Sequence, residues 1–433
     1  MKLKQLAGIL GAMALAAPGM ALATNGYFSH GYGMKSKGMA GVGIALPQDA
    51  MAAATNPAGM AFVGDRLDVG IDWFRPIRDS EFVSPVGAPI PFLGDYDGSG
   101  KKNFLVPEFG FNKMLGWNMA LGVSVYGNGG MNSTYNNGPG GPFPTSGGIP
   151  PFNGFSGQKT GVNLEQLFIA PTFAYKINKN HAVGVTLNLA YQRFRADGLG
   201  GFAGFSMFPA SMTDRGTDTS TGWGIRLGYT GNLTDAVTVG ATYQSRTWMK
   251  KFGKYKGLFA EQGDFDIPEN YGIGIAVKAT PKLTVAADIQ QINYGSIDSI
   301  SNSVFNMLAG NPLGSDNGPG FGWRDMTVFK LGVSYAWSDS LTLRAGVSTS
   351  NHQPIPKRET LFNMLAPGVI ENHLTLGATW AVSPASELTV SYMHAFSKKV
   401  KGSGSFPLAP PGTVEANLKM YEDSLGIAYG LKF

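Results

Sequence analysis

The histidine, serine and acidic residues of this chain show no spacing that indicates enzyme chemistry. Its five histidines, at positions 30, 181, 352, 373 and 394, belong to no recognisable catalytic triad or metal-ligand motif. Cysteine is absent, which excludes thiol nucleophiles, thiolate metal sites and disulfides. The sequence therefore predicts a protein that is not an enzyme and that uses no metal or cofactor.

Cations occur inside segments where apolar residues alternate with small or polar ones, namely Arg226, Arg246, Lys330 and Arg344. Successive side chains of a strand point to opposite faces, so these cations share the face away from the apolar residues. The same face receives four anions, Asp68, Asp72, Glu108 and Asp288. An unpaired buried charge is costly, so the cations bind either a ligand carboxylate or these anions, and both roles are open.

The segments that carry these charges are strands with a different environment on each face. Fourteen runs of period-two alternation lie near residues 66–75, 103–113, 116–126, 163–177, 180–195, 219–231, 236–249, 267–279, 282–295, 325–337, 340–351, 371–382, 386–399 and 417–433. An even number of strands lets a single-chain antiparallel barrel close. Residues 65–433 are therefore predicted to form an all-β transmembrane antiparallel barrel of about 14 strands.

The connections between these runs alternate between short turns and long loops. Short periplasmic turns and long outer loops are typical of outer-membrane barrels. Two of the long loops carry phenylalanines: Phe152 and Phe155 in one, Phe202 and Phe205 in another. Exposed apolar clusters usually mark binding surfaces, so these rings are candidate ligand contacts, although they could instead pack together and cap the barrel.

The start of the chain indicates export. Lys2 and Lys4 precede an apolar run that ends in Ala21-Leu22-Ala23, so residues 1–23 are predicted to be a cleaved signal peptide. Beyond it, no stretch supplies the ~20 consecutive apolar residues of a membrane helix. The net charge is +5, or +3 without the two signal lysines, and so small a charge does not indicate nucleic-acid binding. A closed barrel has no free edge, so a monomer surrounded by outer-membrane lipids is expected.

Residues 24–64 lack strand periodicity and hold clusters of Gly, Ala and Met. A segment of this length ahead of the first strand could fill the barrel as a plug, because larger barrels enclose a lumen. The alternative is a mobile periplasmic arm.

Several motifs are similar to those of a known family. They are Gly31-Tyr32-Gly33, Ala40-Gly41-Val42-Gly43, Thr55-Asn56-Pro57-Ala58-Gly59, Gly322-Trp323-Arg324-Asp325 and Val390-Ser391-Tyr392-Met393-His394. Together they resemble the FadL family of outer-membrane transporters for long-chain fatty acids, which includes aromatic-hydrocarbon relatives of the TodX type. The resemblance covers nearly the whole mature chain.

The resemblance implies a barrel closed by an N-terminal hatch, a capture groove among the outer loops, and sideways release where the third strand kinks inward. Asn56, Pro57 and Ala58 would belong to the hatch. The third strand here meets Gly127-Asn128-Gly129-Gly130, and glycine weakens strands and permits bulges, so Gly127 and Gly129 are gating candidates.

The resemblance also implies an arginine late in the fifth strand that meets the ligand carboxylate, and Ala190-Tyr191-Gln192-Arg193 matches that motif. The alternation of side chains along the strand, which we call strand parity, places Arg193 on the outward face. Either a bulge reverses the register near Gln192, or Arg193 lies above the apolar band. The second cation of the family, a lysine, is replaced here by Pro319.

These features predict a passive transporter of a hydrophobic small molecule in the bacterial outer membrane. A long-chain fatty acid is the first expected substrate, and an aromatic or alkane hydrocarbon is the alternative. A general diffusion porin is disfavoured because a water-filled channel needs an open lumen. A structural or adhesive barrel is disfavoured by the apolar loops.

Overall fold

The computed structural model describes residues 24–136 and 148–433, and the predicted signal peptide lies outside them. Sixteen strands in this part of the chain form one antiparallel sheet. They are β1 (Arg66–Val83), β2 (Gly94–Asp97), β3 (Phe104–Leu115), β4 (Met119–Tyr135), β5 (Thr160–Lys176), β6 (His181–Asp197), β7 (Asp218–Asn232), β8 (Val237–Gln244), β9 (Trp248–Met249), β10 (Asn270–Lys278), β11 (Leu283–Ile292), β12 (Met326–Ala336), β13 (Leu341–Ser350), β14 (Asn372–Ser383), β15 (Ser386–Val400) and β16 (Glu415–Lys432).

The sheet closes into a barrel because β16 pairs with β1, from Arg66 opposite Lys432 to Val83 opposite Glu415. Two strands are short additions: β2 pairs with β1, and β9 pairs with β7 beyond the end of β8. The remaining fourteen strands form the wall, which confirms the predicted closed antiparallel barrel. Short turns lie at one end and long loops at the other.

The predicted alternation is seen along β6. Its outward residues Val183, Leu187 and Tyr191 are exposed, whereas its inward residues Thr186 and Gln192 are buried. Because the backbone donors and acceptors of neighbouring strands pair with each other, such a wall can face hydrocarbon. Within residues 24–136 and 148–433, no helix is long and apolar enough to span a membrane.

Residues 24–64 lie inside the barrel and contain one helical turn, α1 (Met34–Lys37), and the 3₁₀ helices Ala52–Ala54 and Pro57–Ala61. Their polar contacts reach strands all around the wall: Lys37 with Asp72 of β1, Gly33 with Glu108 of β3, Gly43 with Asp288 of β11, and Ala40 with Thr375 of β14. Barrel anions thus bind this segment's lysine and backbone N–H groups.

The long loops carry short helices: α2 (Pro150–Asn153), α3 (Ala260–Gly263), α4 (Asp298–Ser301) and α5 (Thr360–Asn363). Their 3₁₀ helices are Gly200–Phe205, Pro209–Ser211, Gly253–Tyr255, Tyr294–Ser296, Val304–Ala309 and Lys357–Glu359. These loops fold over the long-loop end and bury several of their own phenylalanines there, among them Phe152, Phe202, Phe259, Phe321 and Phe362.

The pairing between β3 and β4 is incomplete. It runs only from Phe109 opposite Val125 to Leu115 opposite Met119, so residues 104–108 of β3 have no partner on β4. On its other edge β4 stays paired with β5, with a register shift between Gly127 and Gly129. The wall is therefore interrupted at the glycine run that the sequence singled out.

Candidate functional site

An apolar cavity lies beneath the long loops. Its lining residues come from β5, β6 and five loop segments: Phe152, Val162, Phe194, Leu199, Phe202, Leu258, Phe259, Ser299, Leu313, Pro319, Gly320, Phe321, Phe362 and Leu365. Among these residues only Ser299 has a polar side chain, and its hydroxyl already donates to the carbonyl of Asp264. The cavity therefore offers a ligand apolar contacts and no charged partner from the described chain.

Aromatic rings form one wall of this cavity. Phe202 makes edge-to-face contacts with Phe152 and Phe362, with both centroid distances at 5.1 Å. The open volume of the cavity is only about 30 Å³, so a ligand must displace side chains to enter. The predicted contacts Phe152 and Phe202 thus lie in one site.

The other two predicted phenylalanines lie elsewhere. Phe155 is 57% exposed and faces Phe92, 6.4 Å away between ring centroids. Phe205 is half-buried against the core without lining the cavity. Phe155 and Phe205 therefore do not line this cavity, and their predicted role as ligand contacts stays a prediction.

Three of the four predicted lumen cations point into the barrel, as strand parity requires, but they contact residues 24–64 rather than the cavity. Lys330 donates to the carbonyl of His30 at 3.1 Å, and Arg344 donates to Gln48 at 3.0 Å. Arg226 donates to the carbonyl of Thr55 at 2.9 Å. The sequence left open whether these cations bind a ligand or stabilise the structure. Their contacts with residues 24–64 support a structural role.

Arg246 was predicted to face the lumen, but it lies beyond the end of its strand and contacts loop residues. Strand β8 ends at Gln244, so parity no longer applies, and Arg246 donates to the carbonyl of Ser296. Its guanidinium also lies 3.8 Å from Asp266. Burial, reinforced by the Asp266 carboxylate, raises the pKa of nearby Asp264 to about 6. This loop region is rich in anions and is a poor place for a ligand carboxylate.

Arg193 lies on the outward face of β6, so it does not enter the cavity. The pairing of β6 with β7 runs without a register shift, and Gln192 is buried on the inward face. The sequence left two possibilities for Arg193, a bulge near Gln192 or a position above the apolar band. The bulge is therefore wrong. Arg193 lies beyond Tyr191, the last exposed apolar residue of β6, and its Nη1 is 3.5 Å from Glu165.

The motif Asn56-Pro57-Ala58 anchors the N-terminal segment to the wall. The Asn56 amide donates to the carbonyls of Ile44 and Tyr229 at 2.7 and 2.9 Å. Its oxygen accepts from the N–H of Ala58 at the start of the 3₁₀ helix. A Cβ at Gly228 would lie 2.0 Å from that oxygen, so the motif needs glycine in β7.

The stretch of β4 around its register shift also contacts the N-terminal segment. Gly129 forms an antiparallel bridge with Phe28, and the N–H of Gly130 donates to the carbonyl of Tyr27 at 3.0 Å. Buried backbone groups require partners, and here residues 27–29 supply those that β3 does not. Gly127 and Gly129 flank the register shift that makes this possible.

A second cavity lies at this interruption of the wall. Its lining comes from β1, β4, β16, two loops and the N-terminal segment: Gly26, Phe74, Pro76, Arg78, Gly130, Met131, Asn132, Trp323, Ala366, Pro367, Gly368 and Met420. It is small, about 10 Å³. Residues 321–323 and 365–368 each contribute to both cavities and so separate them.

Sequence reasoning assigned no role to three residues of this barrier and second cavity. Trp323 is buried, and its indole N–H donates to Asn363, whose amide donates to the carbonyls of Phe321 and Glu359. Arg78 is also buried and donates to Asn132. The signal for Trp323 was its place in the Gly322-Trp323-Arg324-Asp325 motif of a glycine-rich loop, and nothing singled out Asn363 or Arg78.

Metal binding finds no support in this part of the chain. Among residues 24–136 and 148–433, no group of three or more His, Cys, Asp or Glu side chains is placed to hold a metal ion.

Comparison with known proteins agrees with this architecture. The sequence profile of the family described as outer membrane protein transport protein (OMPP1/FadL/TodX) matches residues 12–429. No curated protein matches the sequence.

Solved structures similar to this chain include three bacterial proteins. The P. putida toluene transporter TodX is 18% identical, with 93% of this chain and 99% of that chain covered and a TM-score of 0.69. A Pseudomonas aeruginosa FadL homologue is 16% identical, with 94% and 100% covered and a TM-score of 0.69. The Ralstonia pickettii toluene transporter TbuX is 17% identical, with 93% and 99% covered and a TM-score of 0.61. At these identities the likeness shows the fold, and the profile match over nearly the whole length shows that the chain belongs to the OMPP1/FadL/TodX family of outer membrane transport proteins.

Proposed function

We propose that this protein carries uncharged hydrophobic molecules, of the aromatic or alkane hydrocarbon class, passively across the outer membrane. The observation that carries the proposal is the apolar cavity, whose lining has no charged side chain among the described residues. A hydrocarbon loses little on leaving water for such a site, whereas a buried carboxylate needs a cation. Two of the structurally similar proteins are toluene transporters, which supports the same class.

The proposed route begins at the long-loop end, which faces outward in barrels of this layout. The ligand enters the apolar cavity and then passes the barrier formed by residues 321–323 and 365–368. It leaves sideways through the unpaired stretch between β3 and β4, beside Gly127 and Gly129. Residues 24–64 act as a hatch that blocks direct passage to the periplasm, because their contacts reach strands all around the wall.

A long-chain fatty acid is the second candidate, and one observation favours it. Arg78 is buried, lines the second cavity, and its Nε has no hydrogen-bond partner among the described residues. A carboxylate in that cavity would find a cation there. Against this, the other donors of Arg78 already bind the carbonyls of Asn132, Pro76 and Lys101.

The experiment compares uptake of labelled toluene and oleate by cells that carry the wild type or one of two variants. Leu365→Asn puts an amide with the same branched shape into the cavity, and Leu308→Asn makes the same change at an exposed loop position. Loss of the apolar contact should lower toluene uptake about fivefold in the first variant and leave it unchanged in the second. Surface abundance and heat-modifiable gel mobility verify folding.

The same assay separates the two substrate classes. If Leu365→Asn takes up toluene as the wild type does, the hydrocarbon proposal fails. If oleate is taken up and Arg78→Gln abolishes that uptake, the fatty-acid candidate replaces it.

A further inference from the structure

A group of cations lies on the outward face of the barrel, beyond the apolar band. They are Lys101, Lys159, Arg193 and Arg195, which we call the outer basic patch. Arg193 and Arg195 follow Tyr191 on the outward face of β6, after the exposed residues Val183, Val185, Leu187 and Leu189. Tyrosine and tryptophan side chains mark the level of lipid headgroups, so the patch begins where hydrocarbon gives way to headgroups.

Two carboxylates hold the patch in place without covering it. Glu165 lies 3.7 Å from Lys101 and 3.5 Å from Arg193, and Asp197 lies 3.3 Å from Lys159 and 2.9 Å from Arg195. The two carboxylate side chains are only 6% and 16% exposed, whereas the four cations are 38–52% exposed. Because the four cations are more exposed than the two carboxylates and outnumber them, the outer basic patch presents a net positive charge to the outside.

The patch borders a recess of about 190 Å³. Lys101, Lys159 and Arg195 line it, together with the Asp197 carboxylate that pairs with two of them. The rest of the polar lining is amide and hydroxyl side chains of β4 and β5, namely Asn132, Ser133, Thr134, Thr160 and Asn163. A water molecule takes about 30 Å³ of liquid, so the recess has room for a phosphate group and the atoms attached to it. Arginine forks and lysine ammonium groups are the usual protein partners of phosphate.

We infer that the outer basic patch binds the phosphorylated headgroup of a glycolipid in the outer leaflet. The acyl chains of such a lipid would lie along the exposed apolar residues of β6 directly below, while its phosphate enters the recess. A soluble anion would use only the recess, and the continuous apolar band under the patch favours a lipid. This inference concerns the outer surface of the barrel and is independent of the ligand carried inside.

The patch also lies close to the interruption of the wall. Asn132 lines the recess, and Arg78, which lines the second cavity, donates to this same residue. A lipid bound at the patch would therefore sit beside the proposed lateral exit.

The test measures binding of bis-phosphorylated lipid A to the detergent-solubilised barrel by native mass spectrometry at increasing lipid concentration. Arg193→Gln/Arg195→Gln removes two cations of the patch. Lys278→Gln/Lys282→Gln removes two exposed cations at the short-turn end and serves as the matched control. Each cation at the membrane surface contributes appreciably to the binding of anionic lipids. The patch variant should therefore bind lipid A about tenfold more weakly than the wild type. The control should bind lipid A like the wild type.

Three results would overturn the inference. One is equal affinity of the patch variant and the wild type for lipid A. A second is equal binding of fully dephosphorylated lipid A, which would indicate contact with the apolar band alone. The third is full displacement of lipid A by millimolar inorganic phosphate, which would indicate a site for a free anion. Unchanged toluene uptake by the patch variant separates this outcome from that of the proposed transport function.

Discussion

Trp323 separates the two cavities, and its position depends on one amide side chain. Its ring packs 5.1 Å from Tyr294 and 5.9 Å from Tyr27, between centroids. Asn363 accepts from the indole and donates to two backbone carbonyls, so it connects the segment of Trp323 to α5. An aromatic barrier held by a few hydrogen bonds can open without unfolding the loops.

Asn363→Leu should raise the rate of toluene uptake. The substitution leaves the indole N–H and the Phe321 carbonyl without partners, and each unsatisfied buried group costs about 1–3 kcal/mol. That cost weakens the closed position of Trp323. Stopped-flow uptake into liposomes that contain the purified protein measures the rate.

Trp248→Ala is the control for this prediction. Trp248 is an exposed tryptophan on the outer wall that packs on Trp223, and its loss should leave the rate unchanged. A slower or unaltered rate in Asn363→Leu would contradict the assignment of Trp323 as a barrier.

At the scale of residues, strand parity predicts which face a side chain points to only while the strand continues. It placed Arg226, Lys330 and Arg344 correctly because β7, β12 and β13 are regular there. It assigns no face to Arg246 because β8 ends two residues earlier. The cavity lining was only partly predictable, since Phe152, Phe202 and Phe362 meet through loop conformations that have no sequence period.

At the scale of elements, buried ion pairs and close glycine contacts hold the N-terminal segment in the barrel. The Lys37–Asp72 pair has side chains only 4% and 1% exposed, whereas those of the Lys113–Asp65 pair are 47% and 19% exposed. Removing one partner of a buried pair leaves an uncompensated charge, while an exposed pair contributes little.

Lys37→Met should therefore lower the free energy of unfolding by about 3 kcal/mol, and Lys113→Met by less than about 1 kcal/mol. Urea unfolding of the barrel in detergent micelles gives both values. Equal effects of the two substitutions would show that the Lys37 pair is not isolated from water.

Gly228→Ala tests the contact between β7 and the Asn56-Pro57-Ala58 motif. The added Cβ would lie 2.0 Å from the Asn56 oxygen and 2.7 Å from Pro57, so the motif must shift, at a cost of about 1–3 kcal/mol. Gly204→Ala, whose Cβ would meet nothing within 4 Å, is the control. The same urea titration checks this, and a midpoint for Gly228→Ala that equals that of the control would contradict the contact.

The elements themselves were the most predictable part of the fold. Fourteen alternating runs gave the fourteen wall strands because lipid outside and polar contacts inside impose period two on every strand. The incomplete pairing of β3 with β4 has no such signature, although the glycine run at 127–130 marked its position.

At the scale of the whole molecule, residues 24–64 fill the barrel's lumen, and the proposed transport route runs through its wall. A filled lumen conducts ions poorly, whereas a barrel of this size without its contents would form a water-filled channel. In planar bilayers the wild type should show no stable single-channel steps, and a variant that lacks residues 24–64 should show them.

If the variant without residues 24–64 does not fold, Lys37→Met offers a milder form of the same test. Brief channel openings are then expected in planar bilayers. Steady conductance in the wild type would contradict the filled lumen and favour a general diffusion porin.

The central claim is that the apolar cavity under the long loops receives the ligand. Bromobenzene diffused into crystals of the protein gives the most direct test, because anomalous scattering locates bromine without ambiguity. A bromine peak is expected among Phe152, Phe202 and Phe362. Bromine peaks found only on the outer wall, with none in this cavity at saturating bromobenzene, would contradict it.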